Sequence, residues 1–399
     1  MLIAAMCVAE VVGMLSFATF PALLPTFLHD WSLTATAAGW LSGLFFAGYM
    51  LAVPLLAGLT DRYDARRIFL ASALLTAAAT VAFALLATDF WTAVPLRVIA
   101  GAGLAGTYMP GLRALTDRIP ATSQPRAVSF YTASFSVGAS GSYLFAGLVN
   151  EWLDWHWAVA LSAIGPGLYF LAVLILLRPK PLTGDAITPW AALFDFRPVL
   201  RNREAMAYIL AYAAHNWELF GYRSWIVAFL TFSLSLQPDP DVGIISVTAI
   251  AAALNLLGLP SSVIGNEIAT RFGRRRVVTT IMALSAVIGV LVGLSPSLPY
   301  MAVVALLALY AVTITGESSS VTTGTVLAAP TERKGAAMAM HSFLGFAFAF
   351  LGSLAPGIAL DRFGGTSSAF AWGLAFIVMA LGVAMGPVAL FALAKGRSR

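Results

Sequence analysis

Apolar residues run along this chain in blocks of bilayer length, separated by short polar turns. No Asp, Glu, Lys or Arg occurs within 31–60, 68–88, 127–150, 158–177, 242–266, 277–316 or 366–394. A helix crosses the hydrocarbon with roughly 20 mainly apolar residues, so each block holds at least one span. The block 277–316 is long enough for two, with a turn at Pro296 and Pro299, and 31–60 includes the approach to its span. The chain opens directly into a further apolar segment. It lacks the basic n-region and small-residue cleavage pattern of a signal peptide and reads as a first span. The pattern predicts an all-α integral membrane fold of twelve transmembrane helices.

Composition supports the same class. Hydrophobic residues make up 60% of the 399 residues and charged residues 10%, against ~25% charged in soluble domains. The mean hydropathy is +0.87. The excess of positive charge, +5, raises the question of nucleic acid, but the placement of the charges answers it. Twelve spans put Arg62, Arg66, Arg67, Arg113, Arg118, Arg126, Arg178, Lys180, Arg197, Arg201, Arg203, Arg271, Arg274, Arg275, Arg276, Arg333, Lys334, Lys395, Arg397 and Arg399 on one side. That is 20 of the 23 basic residues. The other side has Arg362 beside Asp30, Asp89, Glu151, Asp154, Asp239, Asp241 and Asp361. The positive-inside rule then places both termini in the cytoplasm. The expected location is a plasma membrane, such as a bacterial inner membrane, and the expected surroundings are lipid, not nucleic acid.

The polar stretch around 178–204 carries five basic residues and five Pro or Gly, at the midpoint of the chain. It divides the sequence into a six-helix bundle at 1–178, a cytoplasmic linker at 179–204 and a second six-helix bundle at 205–399. The halves repeat one another weakly. Asp61-Arg62-Tyr63-Asp64-Ala65-Arg66-Arg67 follows the second span and Thr270-Arg271-Phe272-Gly273-Arg274-Arg275-Arg276 the eighth; Ala146-Gly147-Leu148 and Pro356-Gly357-Ile358 end the fifth and eleventh. Repeated halves with a site near the bilayer midplane are a design of secondary transporters.

These residues resemble the major facilitator superfamily, whose loop between spans two and three reads Gly-x-x-x-Asp-Arg-x-Gly-Arg-Arg/Lys. Asp61, Arg62 and Arg66 match in place and Arg67 follows; the leading glycine is displaced to Gly58, Asp64 replaces the second glycine, and Ala65 replaces the first of the closing pair. The second-half copy keeps Arg271, Gly273, Arg274 and Arg275, with Thr270 in place of the acid and its glycine displaced to Gly265. Arg97, Gly101 and Gly103 match the family's Arg-x-x-x-Gly-x-Gly in the fourth span. The resemblance implies two pseudo-symmetric six-helix bundles working by alternating access, as a monomer. A gating role for Asp61, Arg62, Arg66, Arg271 and Arg275 follows from ion pairing that opens and closes the cytoplasmic side; fixing topology is the other reading of the basic residues. The family's drug/proton antiporters carry a glycine-proline signature in the fifth span, and this chain has Gly138, Gly141 and Gly147 there without the proline.

Charges at membrane depth default to function because they are expensive to insert. Glu10 lies in span one, Arg97 in four, His215, Glu218 and Arg223 in seven, Glu317 in ten and His341 in eleven. In the resembled family, spans one, four, seven and ten line the central cavity. At about 100° per residue, His215, Glu218 and Tyr222 share one stripe of span seven, with Arg223 at its edge. Arginine is a fork-shaped donor suited to carboxylates and other oxyanions, so Arg223 and Arg97 are candidate substrate ligands, with His215, Tyr222 and His341 beside them. Burial favours the protonated form of a carboxylate, so Glu218, Glu317 and Glu10 are candidate proton carriers. Permanent pairs, Glu218 with Arg223 or Arg97 with Glu10, are the alternatives. Trp40, Trp91, Trp152, Trp155 and Trp157 fall near span ends, as interfacial anchors do.

The sequence contains no phosphate-binding loop, no His-Glu-x-x-His and, with Cys7 alone, no paired-cysteine metal site. No cofactor and no enzyme activity are expected. The expectation is a secondary transporter of a small organic or inorganic anion, coupled to protons or working by exchange. The rival is a drug/proton antiporter for lipophilic compounds.

Overall fold

The computed structural model describes residues 2–180, 196–239, 245–330 and 333–393. Most of the linker, together with Asp241, Lys395, Arg397 and Arg399, lies outside the described residues. No strand occurs among the described residues, and the helices form twelve spans. Span α1 is interrupted and consists of Leu2–Gly13, the 3-10 turn Met14–Ser16, Thr19–Ala22 and Leu24–Asp30. It is followed by α2 (Ala35–Leu59), α3 (Ala65–Leu86), α4 (Phe90–Thr116), α5 (Gln124–Trp152) and α6 (Trp155–Leu176, jointed at Ala163). After the short helix Arg197–Arg201 come α7 (Arg203–Ser235), α8 (Val247–Phe272, jointed at Leu257), α9 (Arg274–Gly293), α10 (Tyr300–Ala328, jointed at Glu317), α11 (Lys334–Arg362) and α12 (Ala369–Leu393).

Eight of these, α2, α3, α6 and α8–α12, are long and apolar enough to cross a bilayer by composition alone. The other four fall short for a physical reason: α1 is broken and carries Glu10, α4 carries Arg97, α5 is rich in serine, and α7 carries His215, Glu218 and Arg223. Several spans begin on a capping side chain that satisfies backbone N–H groups left over at a helix start. Asp89 and Thr92 cap α4 reciprocally, with Thr92 N–H donating to Asp89 Oδ1 at 2.8 Å and Asp89 N–H to Thr92 Oγ1 at 3.1 Å. Asp154, Asn202 and Ser246 cap α6, α7 and α8. Trp91, Trp152 and Trp157 are exposed near span ends, as expected of anchors. Trp155 is not: it is buried and stacks on His156 at 3.6 Å.

The spans group into two compact units, one of Met1–Leu23 with Leu44–Phe194 and one of Leu24–Gly43 with Asp195–Arg399. In the first unit α1 packs on α5 and α6, and α3 lies along α4. Phe69, Tyr131 and Tyr169 fill its core, where the Tyr131 and Tyr169 hydroxyls share a hydrogen bond. In the second unit α7 is the central post. It is buried around its circumference, against α11 and α12 above all. Ser224 Oγ donates to Ser353 Oγ and Trp225 Nε1 to the Ser353 carbonyl, both at 2.9 Å. The start of α2 belongs to this unit through Asp361, whose carboxylate accepts the Ala35 and Thr36 N–H groups at 2.9 and 2.7 Å.

Helices meet at glycine where backbones touch, which is how membrane helices gain packing without a hydrophobic drive between them. A Cβ on Gly101 of α4 would stand 1.8 Å from the Phe45 carbonyl oxygen of α2, and one on Gly48 of α2 would stand 2.1 Å from the Val98 oxygen of α4. In the second unit, Gly265 of α8 meets the Gly316 carbonyl of α10 in the same way. Gly141 of α5 meets nothing within 4 Å. Replacing Gly101 by Val should therefore cost about 2 kcal/mol or more and lower the melting temperature in detergent, whereas Gly141→Ala should leave it within error of the parent. Equal melting of the two variants would contradict this account of the α2–α4 crossing.

Candidate functional site

The break in α1 lies beside a cavity of the first unit. Unwinding at Met14–Ala18 frees backbone groups, and each needs a partner in a span. Ser142 of α5 supplies two: its hydroxyl donates to the Leu15 carbonyl at 2.7 Å and accepts the Ala18 N–H at 2.9 Å. The cavity wall includes Phe17, Phe20, Phe45 and Phe83, with Thr76 and Thr80 from α3 and Arg97 from α4. Arg97 is 7% exposed, and its guanidinium carbon lies 4.8 Å from the ring centres of both Phe20 and Phe45. Aromatic faces attract a cation at this distance, which offsets part of the cost of holding it away from water. Glu10 is also buried, and its Oε2 has no hydrogen-bond partner among the described residues.

The second unit holds the other candidate residues. His215 Nδ1 lies 3.0 Å from Glu317 Oε1, and both side chains are fully buried. Glu317 stands at the joint of α10, between Gly316 and Ser318. The two atoms share a hydrogen bond whose direction is set by the imidazole tautomer. The remaining atoms, His215 Nε2 and Glu317 Oε2, are buried without a hydrogen-bond partner among the described residues. Glu218 is held differently: Oε2 accepts the Ser285 hydroxyl at 2.9 Å and Oε1 the Tyr310 hydroxyl at 3.0 Å. The Tyr222 ring meets Tyr310 edge-on at 5.7 Å. His341 stacks on Tyr212 at 3.6 Å and its ring nitrogens face Thr325 at 3.1 Å and Thr322 at 3.3 Å.

The polar stripe of α7 thus turns inward, toward α9 and α10, and brings His215, Glu218 and Tyr222 together with Glu317. His341 joins through Tyr212, which also stacks on His215 at 6.0 Å. Arg223 stands apart: it is half-buried, donates from Nε to Asn255 Oδ1 at 3.1 Å and covers the Phe220 ring at 5.6 Å. Sequence reasoning did not find Ser285, Tyr310 or Tyr212, which are ordinary span residues until the helices pack, nor Phe20 and Phe45. Ser142 sits in the Gly-Ser stretch of α5, but nothing in that stretch signals a broken partner helix.

On the loop side, Asp61 accepts Arg113. Arg66 Nη2 donates to the Leu174 carbonyl at 2.9 Å. Arg62 is half-buried and Arg271 is exposed at the end of α8. Arg274 reaches Asn266 at 2.8 Å and the Ser320 carbonyl at 3.1 Å, and Arg275 covers the Phe391 ring at 4.7 Å. The hub is Asp64, which stands in place of the loop pattern's second glycine. It caps α3 by accepting the Arg66 N–H at 3.0 Å, receives Arg118 Nη2 on both oxygens at 2.8 and 2.7 Å, and accepts the Lys180 N–H at 2.8 Å. It ties the start of α3, the end of α4 and the exit from α6 into one staple.

Burial alone would raise the Asp64 carboxyl, but Arg118 and the Lys180 and Arg66 N–H groups outweigh it and hold the carboxyl below its ordinary 3.8. A group depressed on folding stabilises the protein above its unfolded value and loses that contribution as pH falls through its folded value. Asp64→Asn should lower stability at pH 7 by about 1–3 kcal/mol, and the gap between variant and parent should narrow as pH is taken below 3.8. A gap that stays constant to low pH in thermal melts would rule out the ionised staple.

Comparison with known proteins places the chain in a family. The Major Facilitator Superfamily profile matches residues 6–353, and the chain belongs to that superfamily. Human "Protein spinster homolog 1" is 24% identical over 246 residues, which are 58% of this chain and 45% of that protein. "Niacin transporter NiaP" of Acinetobacter baylyi is 26% identical over 159 residues, 40% of this chain and 35% of that protein. The matched part of the chain thus spans less than half the length of these relatives. The fold matches the crystal structure of a bacterial homolog of the human lysosomal transporter Spinster in an inward-facing, unoccupied conformation, with a TM-score of 0.78 at 16% identity over 100% of this chain and 98% of that one. It also matches the nucleoside transporter NupG, with a TM-score of 0.74 at 14% identity over 99% and 100%. The all-α fold of twelve transmembrane helices expected from the sequence is the major facilitator fold.

Proposed function

We propose that this chain is a secondary transporter that moves a small organic anion across the membrane by alternating access, linked to a proton or to counter-exchange. The observation that carries the reading is Arg97, a guanidinium seated in the wall of a membrane-depth cavity between two phenylalanine rings. A guanidinium in a cavity wall presents the planar donor geometry that suits a substrate carboxylate. The names of relatives are in keeping with organic solutes: one is a niacin transporter and another, from Arabidopsis thaliana, a probable sphingolipid transporter. The coupling group is the hydrogen-bonded His215–Glu317 pair, whose His215 Nε2 and Glu317 Oε2 are buried without a hydrogen-bond partner among the described residues and offer places for a proton. The basic loops support an inner-membrane orientation with both termini cytoplasmic, and the protein acts as a monomer.

A second reading is drug/proton antiport. Glu218, buried with hydroxyl donors on both oxygens, is the group that would attract a lipophilic cation.

Uptake into proteoliposomes separates the two. With an inward proton gradient, labelled organic anions should accumulate, and Arg97→Ala should cut the initial rate about tenfold or more, the loss expected of one charge-assisted contact. Movement of lipophilic cations that Glu218→Gln abolishes, with no anion flux, would replace the anion reading by the second. For coupling, Glu317→Gln should abolish gradient-driven accumulation and keep anion counterflow at zero gradient. Accumulation surviving in that variant would move the coupling proton elsewhere.

A further inference from the structure

The lining of the α1–α4 cavity restricts what it can hold. Arg97 is the one charged side chain among its lining residues. The threonines beside it add little donor capacity, because their hydroxyl protons go to their own helices. Thr76 donates to Ser72 O at 3.0 Å, Thr80 to Thr76 O at 2.8 Å, Thr107 to Leu104 O at 3.0 Å and Thr19 to Leu15 O at 3.3 Å. A second negative charge on a ligand would therefore go uncompensated in a low-dielectric site, which is costly. So would a polyhydroxylated or zwitterionic body, whose polar groups would face Phe17, Phe20, Phe45 and Phe83. An apolar body gains there by leaving water. The ring contacts of Arg97 engage the faces of a planar cation whose five N–H donors lie in its plane.

We infer that the first unit binds an amphipathic monocarboxylate, one carboxylate on an apolar ring-sized body, with Arg97 holding the carboxylate and Phe20, Phe45 and Phe83 enclosing the body. The inference rests on the reading of the chain as an anion transporter and narrows it. Acetate and phosphate are too polar, phthalate carries one charge too many, and benzyl alcohol lacks the charge.

The test is ligand-induced thermal stabilisation of the purified full chain with benzoate, acetate, phthalate, inorganic phosphate, benzyl alcohol and benzylamine. Benzoate should raise the melting temperature saturably and the other five should not at the same concentration. Arg97→Ala should weaken the benzoate response about tenfold or more. Ala100→Phe, which adds bulk at the cavity wall and no charge, should abolish the response while still melting cooperatively, so the test stands even where the arginine variant folds poorly. Equal stabilisation by acetate or phthalate would overturn the amphipathic monoanion and leave anion transport standing. An undiminished benzoate response in Ala100→Phe would remove the site from this cavity. Stabilisation by benzylamine alone would overturn the inference together with the anion reading on which it rests.

Discussion

An ionisable side chain at the depth of the hydrocarbon costs about 2.5–3.5 kcal/mol on insertion scales when charged, and each unit surrounds such groups with different chemistry. In the first unit the cation Arg97 is set against two aromatic faces. In the second, Glu218 is met by two hydroxyls and Glu317 by an imidazole. The same pressure acts on the backbone, because a group freed by a helix break has no water to turn to. Ser142 answers it in α1 by serving a carbonyl and an N–H at once. Polar groups and breaks occur together, at Met14–Ala18 beside the cavity and at Glu317 in α10, as they do in transporter sites built from discontinuous helices.

The chemistry of the two units is complementary. On the proposed reading, Arg97 in the first unit meets the anion and the His215–Glu317 pair in the second takes the proton. Glu218 has both oxygens in hydrogen bonds with the Ser285 and Tyr310 hydroxyls. The loop side has a different task. Asp64 joins three chain segments of the first unit, and rigid units are what a rocking mechanism moves.

The fold was legible because it depends on quantities a sequence displays directly. Charge-free blocks such as 68–88 and 366–394, and the sorting of arginines to one side, reflect solvation alone and need no knowledge of packing. The candidate charges were legible for the same reason, since an arginine such as Arg97 inside an apolar block stands out. Their partners were not. Tyr310, Ser285 and Phe45 acquire their roles only when α7, α9 and α10, or α2 and α4, come together, and hydropathy does not separate them from dozens of similar residues. Asp64 was visible only as a departure from a loop pattern, while Asp61 matched it. What makes Asp64 the hub is its place at the first turn of α3 within reach of Arg118, a matter of three dimensions. The hydropathy shortfall of α1, α4, α5 and α7 does carry site information, because polar linings dilute the spans that bear them.

The central claim is that the cavity beside Arg97 selects negative charge, and its most direct measurement is chemical. A cysteine placed at Thr80, in a chain whose own Cys7 is replaced by Ser, would be reacted with two methanethiosulfonates of similar size, one carrying a sulfonate and one a trimethylammonium group. A cavity focused by one buried cation should react with the anionic reagent faster, by about tenfold or more. Equal rates, or a preference for the cationic reagent, would contradict an anion-selecting site.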